Sequence, residues 1–129
     1  MDQTLNLKLN EFRETLNSLE VALKEEKNDL IRDSVIKRFE YNFELCWKTA
    51  KVFLSQKFGV DIFSPKECFR ELRRNKLLSD KETELLLKMT DDRNEVIHTY
   101  NKDFSNELYG KIKKNYYKLI EKIYQQLKQ

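Results

Sequence analysis

Arg38-Phe39-Glu40-Tyr41-Asn42-Phe43-Glu44-Leu45-Cys46-Trp47-Lys48 lies inside the longest apolar-periodic run of the chain. Around it Val35, Phe39, Phe43, Cys46, Trp47, Ala50, Phe53 and Leu54 recur every three or four residues, the signature of one helix face. The spacing predicts a helix from about Leu30 to Phe58. Its inner face is wide and aromatic, so more than one neighbour packs on it. In a chain of 129 residues one of those neighbours can be a second subunit. Arg38, Glu40, Glu44 and Lys48 are spaced for i,i+4 pairs, worth only ~0.2–0.5 kcal/mol each. The plain reading of this block is core plus solvated ion pairs; a place for Tyr41 in a functional cleft is the alternative.

The elements on either side follow the same rule. Leu5, Leu9, Phe12, Leu16, Leu19 and Leu23 form a stripe over a helix at residues 3–26. Lys27-Asn28-Asp29 breaks it, and Asn28 or Asp29 can cap the next helix. Downstream, Gly59 fits a left-handed helix end. Ser64, Pro65 and Glu67 combine a capping hydroxyl, a proline in the first turn and a reciprocal carboxylate, a helix start. That third helix turns Cys68, Phe69 and Leu72 inward and carries the densest basic cluster, Arg70, Arg73, Arg74 and Lys76. The cluster can meet an RNA backbone or an acidic partner, or simply complement a helix dipole. Ser79-Asp80-Lys81-Glu82 repeats the capping pattern. A last helix is expected from about Phe104 to Gln126, with Leu108, Ile112, Tyr116, Leu119, Ile123 and Leu127 inside. Tyr109, Tyr117 and Tyr124, interleaved with lysines, suit either packing or RNA stacking. With only two glycines and one proline to interrupt it, the chain reads as all-α. The expected architecture is a single domain, 1–129, built as an antiparallel up-down bundle of four to five helices.

Composition narrows the setting. The net charge of +3 and a pI near 8.8 are mildly basic, compatible with nucleic acid without requiring it. Cys46 and Cys68 have no metal or redox spacing and fall in apolar patterns, so buried free thiols in a reducing compartment are expected. No run approaches the ~18–20 apolar residues of a membrane span, and Met1-Asp2-Gln3 does not open a signal peptide. The expectation is a cytoplasmic protein that needs no metal or other cofactor and no membrane.

Chemistry concentrates in Asp91-Asp92-Arg93-Asn94-Glu95-Val96-Ile97-His98-Thr99-Tyr100, which holds the only histidine. Arg93 and Tyr100 share the stripe of Leu85, Met89 and Val96. Arg93 is thus a cation on an inward face, and needs a partner: Asp92, or the same Asp92 of a second subunit. His98, five residues on, lies about 140° further round a helix. The two converge only if the helix ends near His98, where Thr99, Asn101 and Asp103 suit a loop and cap, or if a partner surface closes the gap. A neutral-pH proton carrier beside a guanidinium suited to phosphate fits metal-independent attack of a ribose 2′-OH on the adjacent phosphate. Arg93 would hold the developing charge and His98 move the proton, help worth ~10²–10⁴-fold. The competing reading is a structural Arg–Asp pair and a histidine that favours a helix C-terminus.

Arg93, four residues, His98, one residue, Tyr100 resembles the Arg-x4-His-x-Tyr motif of HEPN-domain proteins. The Arg38–Lys48 block and Ser64-Pro65-Lys66-Glu67 resemble one branch, the nucleotidyltransferase substrate-binding proteins with the HepT-like toxins. The likeness runs along nearly the whole chain, in order. It implies a helical homodimer paired with a minimal nucleotidyltransferase (MNT) antitoxin. Arg93 and His98 would then be ribonuclease residues and Tyr100 the residue that the MNT partner silences with AMP; Asp92 stays a supporting candidate by its place beside Arg93. The alternative role in the same branch is a non-catalytic subunit that presents a nucleotide or substrate to its nucleotidyltransferase.

Overall fold

The computed structural model describes residues 3–98 and 100–128. Its elements are α1 (Gln3–Leu23), α2 (Asp29–Phe58), α3 (Pro65–Arg74), α4 (Asp80–His98), α5 (Lys102–Lys111), a π-helical turn (Ile112–Tyr116) and α6 (Tyr117–Leu127). The predicted stops are physical ones. Asn28 Oδ1 accepts from the Ile31 amide at 2.8 Å and opens α2. Gly59 closes it at φ 66°, where a side chain would be strained. At α4 the capping box is complete: Ser79 Oγ accepts from the Glu82 amide at 3.1 Å, and Glu82 accepts from the Ser79 amide at 2.8 Å. At α3 it is shifted by one residue, because Glu67 accepts from Phe63 rather than Ser64.

α2 is the hub. It packs against α1, α3, α5 and α6, which explains the width of its aromatic face. Phe39 stacks on Tyr116, 5.9 Å between centroids, and Phe43 meets Phe69 edge-on at 6.1 Å. The pairings fix direction. Thr15 and Ser18 of α1 meet Asn42 and Arg38 of α2 in reverse order, so these helices are antiparallel. Arg32 meets Asn106 and Phe39 meets Tyr116, so the last helical run is parallel to α2. Glu82 meets Lys122 and Asp92 meets Tyr116, so α4 opposes that run. The result is the expected up-down-up-down bundle, with short α3 bracing α4.

Several expectations need correction. α1 ends at Leu23, and Ala22 rather than Leu23 is its last buried residue. Arg38 does not join an i,i+4 pair: it donates to Ser18 O at 2.8 Å and ties α1 to α2. Only Glu44–Lys48, at 3.1 Å, forms as a pair on that face. The last helix starts at Lys102, because Asn101 caps it by accepting from the Phe104 amide at 3.0 Å, and it is interrupted by the π turn. Tyr109 and Tyr124 are buried, so they are packing residues. Cys46 and Cys68 are free and buried. Among the described residues no helix is long and apolar enough to cross a membrane.

Candidate functional site

The capping box starts α4, and the helix runs unbroken to His98. Thr99, one of the expected loop residues, lies outside the described residues. Tyr100 follows outside any helix, 77% exposed. The helix therefore ends before Tyr100, and the stripe that was to carry this tyrosine beside Arg93 does not extend to it.

Arg93 does turn inward, but its partner is Glu44, not Asp92. Arg93 Nη1 donates to Glu44 Oε1 at 3.0 Å, and the guanidinium lies 4.4 Å from the Phe43 ring centre. Its side chain is only 14% exposed, and buried Nε finds no acceptor among the described residues. Asp92 points to the other side of α4. It accepts from Tyr116 Oη at 2.6 Å and from Lys111 at 3.3 Å. Burial, reinforced by Asp92, pushes the Tyr116 phenol up, so it stays a proton donor. Asp92 thus ties α4 to the last helical run while Arg93 ties it to α2. Partial burial alone would raise Glu44; hydrogen bonds from Lys48 and Trp47 and the charges of Lys48 and Arg93 outweigh it and lower its pKa.

His98 and Tyr100 come together. Both line a surface groove of about 360 Å³ between α2, the end of α4 and the start of α5, with Asp33, Lys37 and Glu40 on the α2 side. Arg93 is not in its lining. It sits about one helical turn further along the same seam, since Glu44 follows Glu40 on α2 as Arg93 precedes Val96 and Ile97 on α4. Within one chain, Arg93 and His98 therefore do not meet on one atom. Arg70, Arg73, Arg74 and Lys76 are not brought to the groove either. Arg73 pairs with Asp80 at 3.7 Å and Arg74 with Glu71 at 2.9 Å, near the start of α4. That end is roughly 27 Å from His98 at 1.5 Å per residue.

A second inward cation went unread in the sequence. Arg32 is 1% exposed and held by Asp33 at 3.0 Å, Asp29 at 3.2 Å and Asn106 at 3.4 Å. Asp33, with lesser help from Asp29, outweighs burial and favours its charged form. It was legible: Arg32, Val35 and Phe39 are spaced by three and four, on the stripe that defines α2.

Residues 7–129 match the model of a family described as nucleotidyltransferase substrate binding protein like. The chain belongs to this family. A search among curated proteins found no match. Among solved structures, a Thermus thermophilus protein is 34% identical, with TM-score 0.85 over 92% of this chain and 99% of its own. A tri-AMPylated Shewanella oneidensis HEPN toxin, solved in complex with an MNT antitoxin, superposes with TM-score 0.80 at 18% identity, over 99% of this chain and 98% of its own. A toxin–antitoxin assembly solved with AMP-PNP gives TM-score 0.78 at 19% identity, over 99% and 98%. At such identities the likeness is one of fold: this family member is a HEPN-type helical bundle.

Proposed function

We propose that the protein is the toxin of a HEPN/MNT toxin–antitoxin pair, a cytoplasmic ribonuclease restrained by adenylylation of Tyr100. The observation that carries this reading is the shared groove of His98 and Tyr100, with Arg93 one turn along its seam. In the reaction, the ribose 2′-oxygen attacks the adjacent phosphorus and the bond to the 5′-oxygen breaks. A 2′,3′-cyclic phosphate and a 5′-hydroxyl remain. His98 takes the attacking proton or supplies the leaving one. Arg93 stabilises the charge on the phosphorane oxygens, in a cleft completed by a second copy. A homodimer offers the way to bring Arg93 and His98 of different subunits to one phosphate. Restraint works at His98. The Tyr100 phenol oxygen attacks the α-phosphorus of ATP held by the MNT partner, pyrophosphate leaves, and the phenol proton goes to solvent. The bulky anion then stands at the mouth of the His98 groove.

The test is cleavage of total RNA by the purified chain. The wild type should yield 2′,3′-cyclic ends, and His98→Ala should lose at least a hundredfold in rate while folding normally. Tyr100→Phe should stay active after incubation with partner and ATP; full silencing of that variant without tight binding would remove the adenylylation step. The second reading, a subunit that presents a nucleotide to the nucleotidyltransferase without cutting RNA, is favoured by Arg93 being already committed to Glu44 and by the family's description. Cyclic ends from the wild type alone decide against it.

A further inference from the structure

The groove contains more than His98 and Tyr100. Asp33, Lys37 and Glu40 are spaced four and three residues apart on α2, one stripe, and all three line it. Ile36, Val96 and Ile97 supply apolar wall. Its volume, about 360 Å³, is at the small end of ligand sites, which run from ~300 to 1,000 Å³. That is room for one nucleotide, not for two stacked ones. Lys37 stands at the rim, its Nζ 5.3 Å from the centre of the exposed Tyr41 ring. A phosphate held by Lys37 and His98 therefore stays on the open side, and the base goes against the apolar wall. Asp33 is partly committed to Arg32 at 3.0 Å, so Glu40 is the carboxylate left to meet the base.

We infer that this groove selects one nucleotide whose base carries an amino group, guanine above all, through the Glu40 carboxylate with Lys37 on the phosphate. The inference rests on the nucleotide-handling reading of the same groove and adds what it selects. An ionised carboxylate offers only acceptors. Guanine presents two donors side by side, N1–H and the 2-amino group, which match two carboxylate oxygens as a planar fork does. Adenine and cytosine present one amino group each. Uracil presents a single N3–H between two carbonyl oxygens, which a carboxylate repels. Losing a hydrogen bond to a charged group weakens binding by roughly ten- to a hundredfold. The groove is open on one side, so the expected preference is at the lower end, about tenfold.

The chain has a built-in probe, since His98 is its only histidine and its imidazole proton resonance needs no assignment. The intact folded chain would be titrated with the four nucleoside 5′-monophosphates while that resonance is followed. Guanosine monophosphate should shift it at about one-tenth the concentration that uridine monophosphate needs, with the adenine and cytosine nucleotides between. Glu40→Gln, which offers a donor as well as an acceptor, should weaken the guanine nucleotide about tenfold and leave the uridine one unchanged. Lys37→Gln should weaken all four alike. Both positions are at the surface, and circular dichroism checks the fold. Equal affinity for the four, no shift from any of them, or a preference that survives Glu40→Gln overturns the inference. An RNA trinucleotide with a central 2′-deoxyguanosine separates the sources. Tighter binding than the free nucleotide assigns the groove to an RNA strand, and weaker binding assigns it to a mononucleotide. RNA cleavage without a base preference sinks this inference alone; a base preference without cleavage sinks the nuclease reading alone.

Discussion

Arg93 shows what residue spacing can and cannot say. That it turns inward was legible, because it shares the stripe of Met89 and Val96. Its partner was not. Glu44 stands 49 positions away, and periodicity on one helix says nothing about which residue of another comes opposite. Tyr100 failed for a related reason: a stripe holds only as far as the helix, and α4 stops at His98. The Arg93–Glu44 pair also gives a sharp prediction. Glu44 keeps Lys48 as a partner and is 38% exposed, so a pair of this kind contributes at most ~1 kcal/mol. Leucine at 93 still covers Phe43. Arg93→Leu should therefore lower stability by no more than about 1 kcal/mol in urea melts and yet abolish RNA cleavage. A large stability loss with cleavage intact would make Arg93 a structural residue.

At the scale of elements, helix ends were the most legible features, because caps are local chemistry. Asn28, Gly59, Ser64 and Ser79 all stand where the residue types put them. The π turn at Ile112–Tyr116 was hidden, since one wide turn hardly disturbs an apolar pattern. In hindsight the stripe from Leu108 to Leu127 advances about 3.8 residues per step against 3.6 for a regular helix, the drift that a wide turn absorbs. The two glycines separate backbone strain from helix propensity. A Cβ at either would meet nothing within 4 Å. Gly110 is helical, so Gly110→Ala should raise stability by ~0.5–1 kcal/mol. Gly59 has φ 66°, so Gly59→Ala should lower stability by ~1 kcal/mol despite the open space. Thermal melts of the two variants should move in opposite directions.

The whole molecule is organised by α2, whose spacing already showed an aromatic face too wide for one neighbour. The packing also sets the acid response. A hydrogen bond from Lys122, then the Ser79 amide, lowers the Glu82 pKa. Glu44 is lowered too, its contacts with Lys48 and Trp47 and the charge of Arg93 outweighing burial. For a carboxyl whose folded pKa is depressed, the stabilisation is present above the unfolded value, ~4.3 for glutamate. It is lost as pH falls through the lower folded value. Urea midpoints should thus hold down to about pH 5 and fall below ~4.3, with Glu82→Gln flattening part of that fall. Burial pushes Cys68 to about 12 and Cys46 well above its ordinary value. Neither thiol should react with an aromatic disulfide reagent at pH 8 until the chain unfolds. Rapid labelling of the native chain would show the α2–α3 core to be looser than described.

On the proposed function, His98 makes this bundle a toxin. The most direct measurement is the growth of cells expressing the chain without its nucleotidyltransferase partner, wild type against His98→Ala, at matched expression and with folding verified by circular dichroism. The wild type should stop growth and His98→Ala should not. Arrest by both, or by neither, would contradict the account and leave a binding subunit in its place.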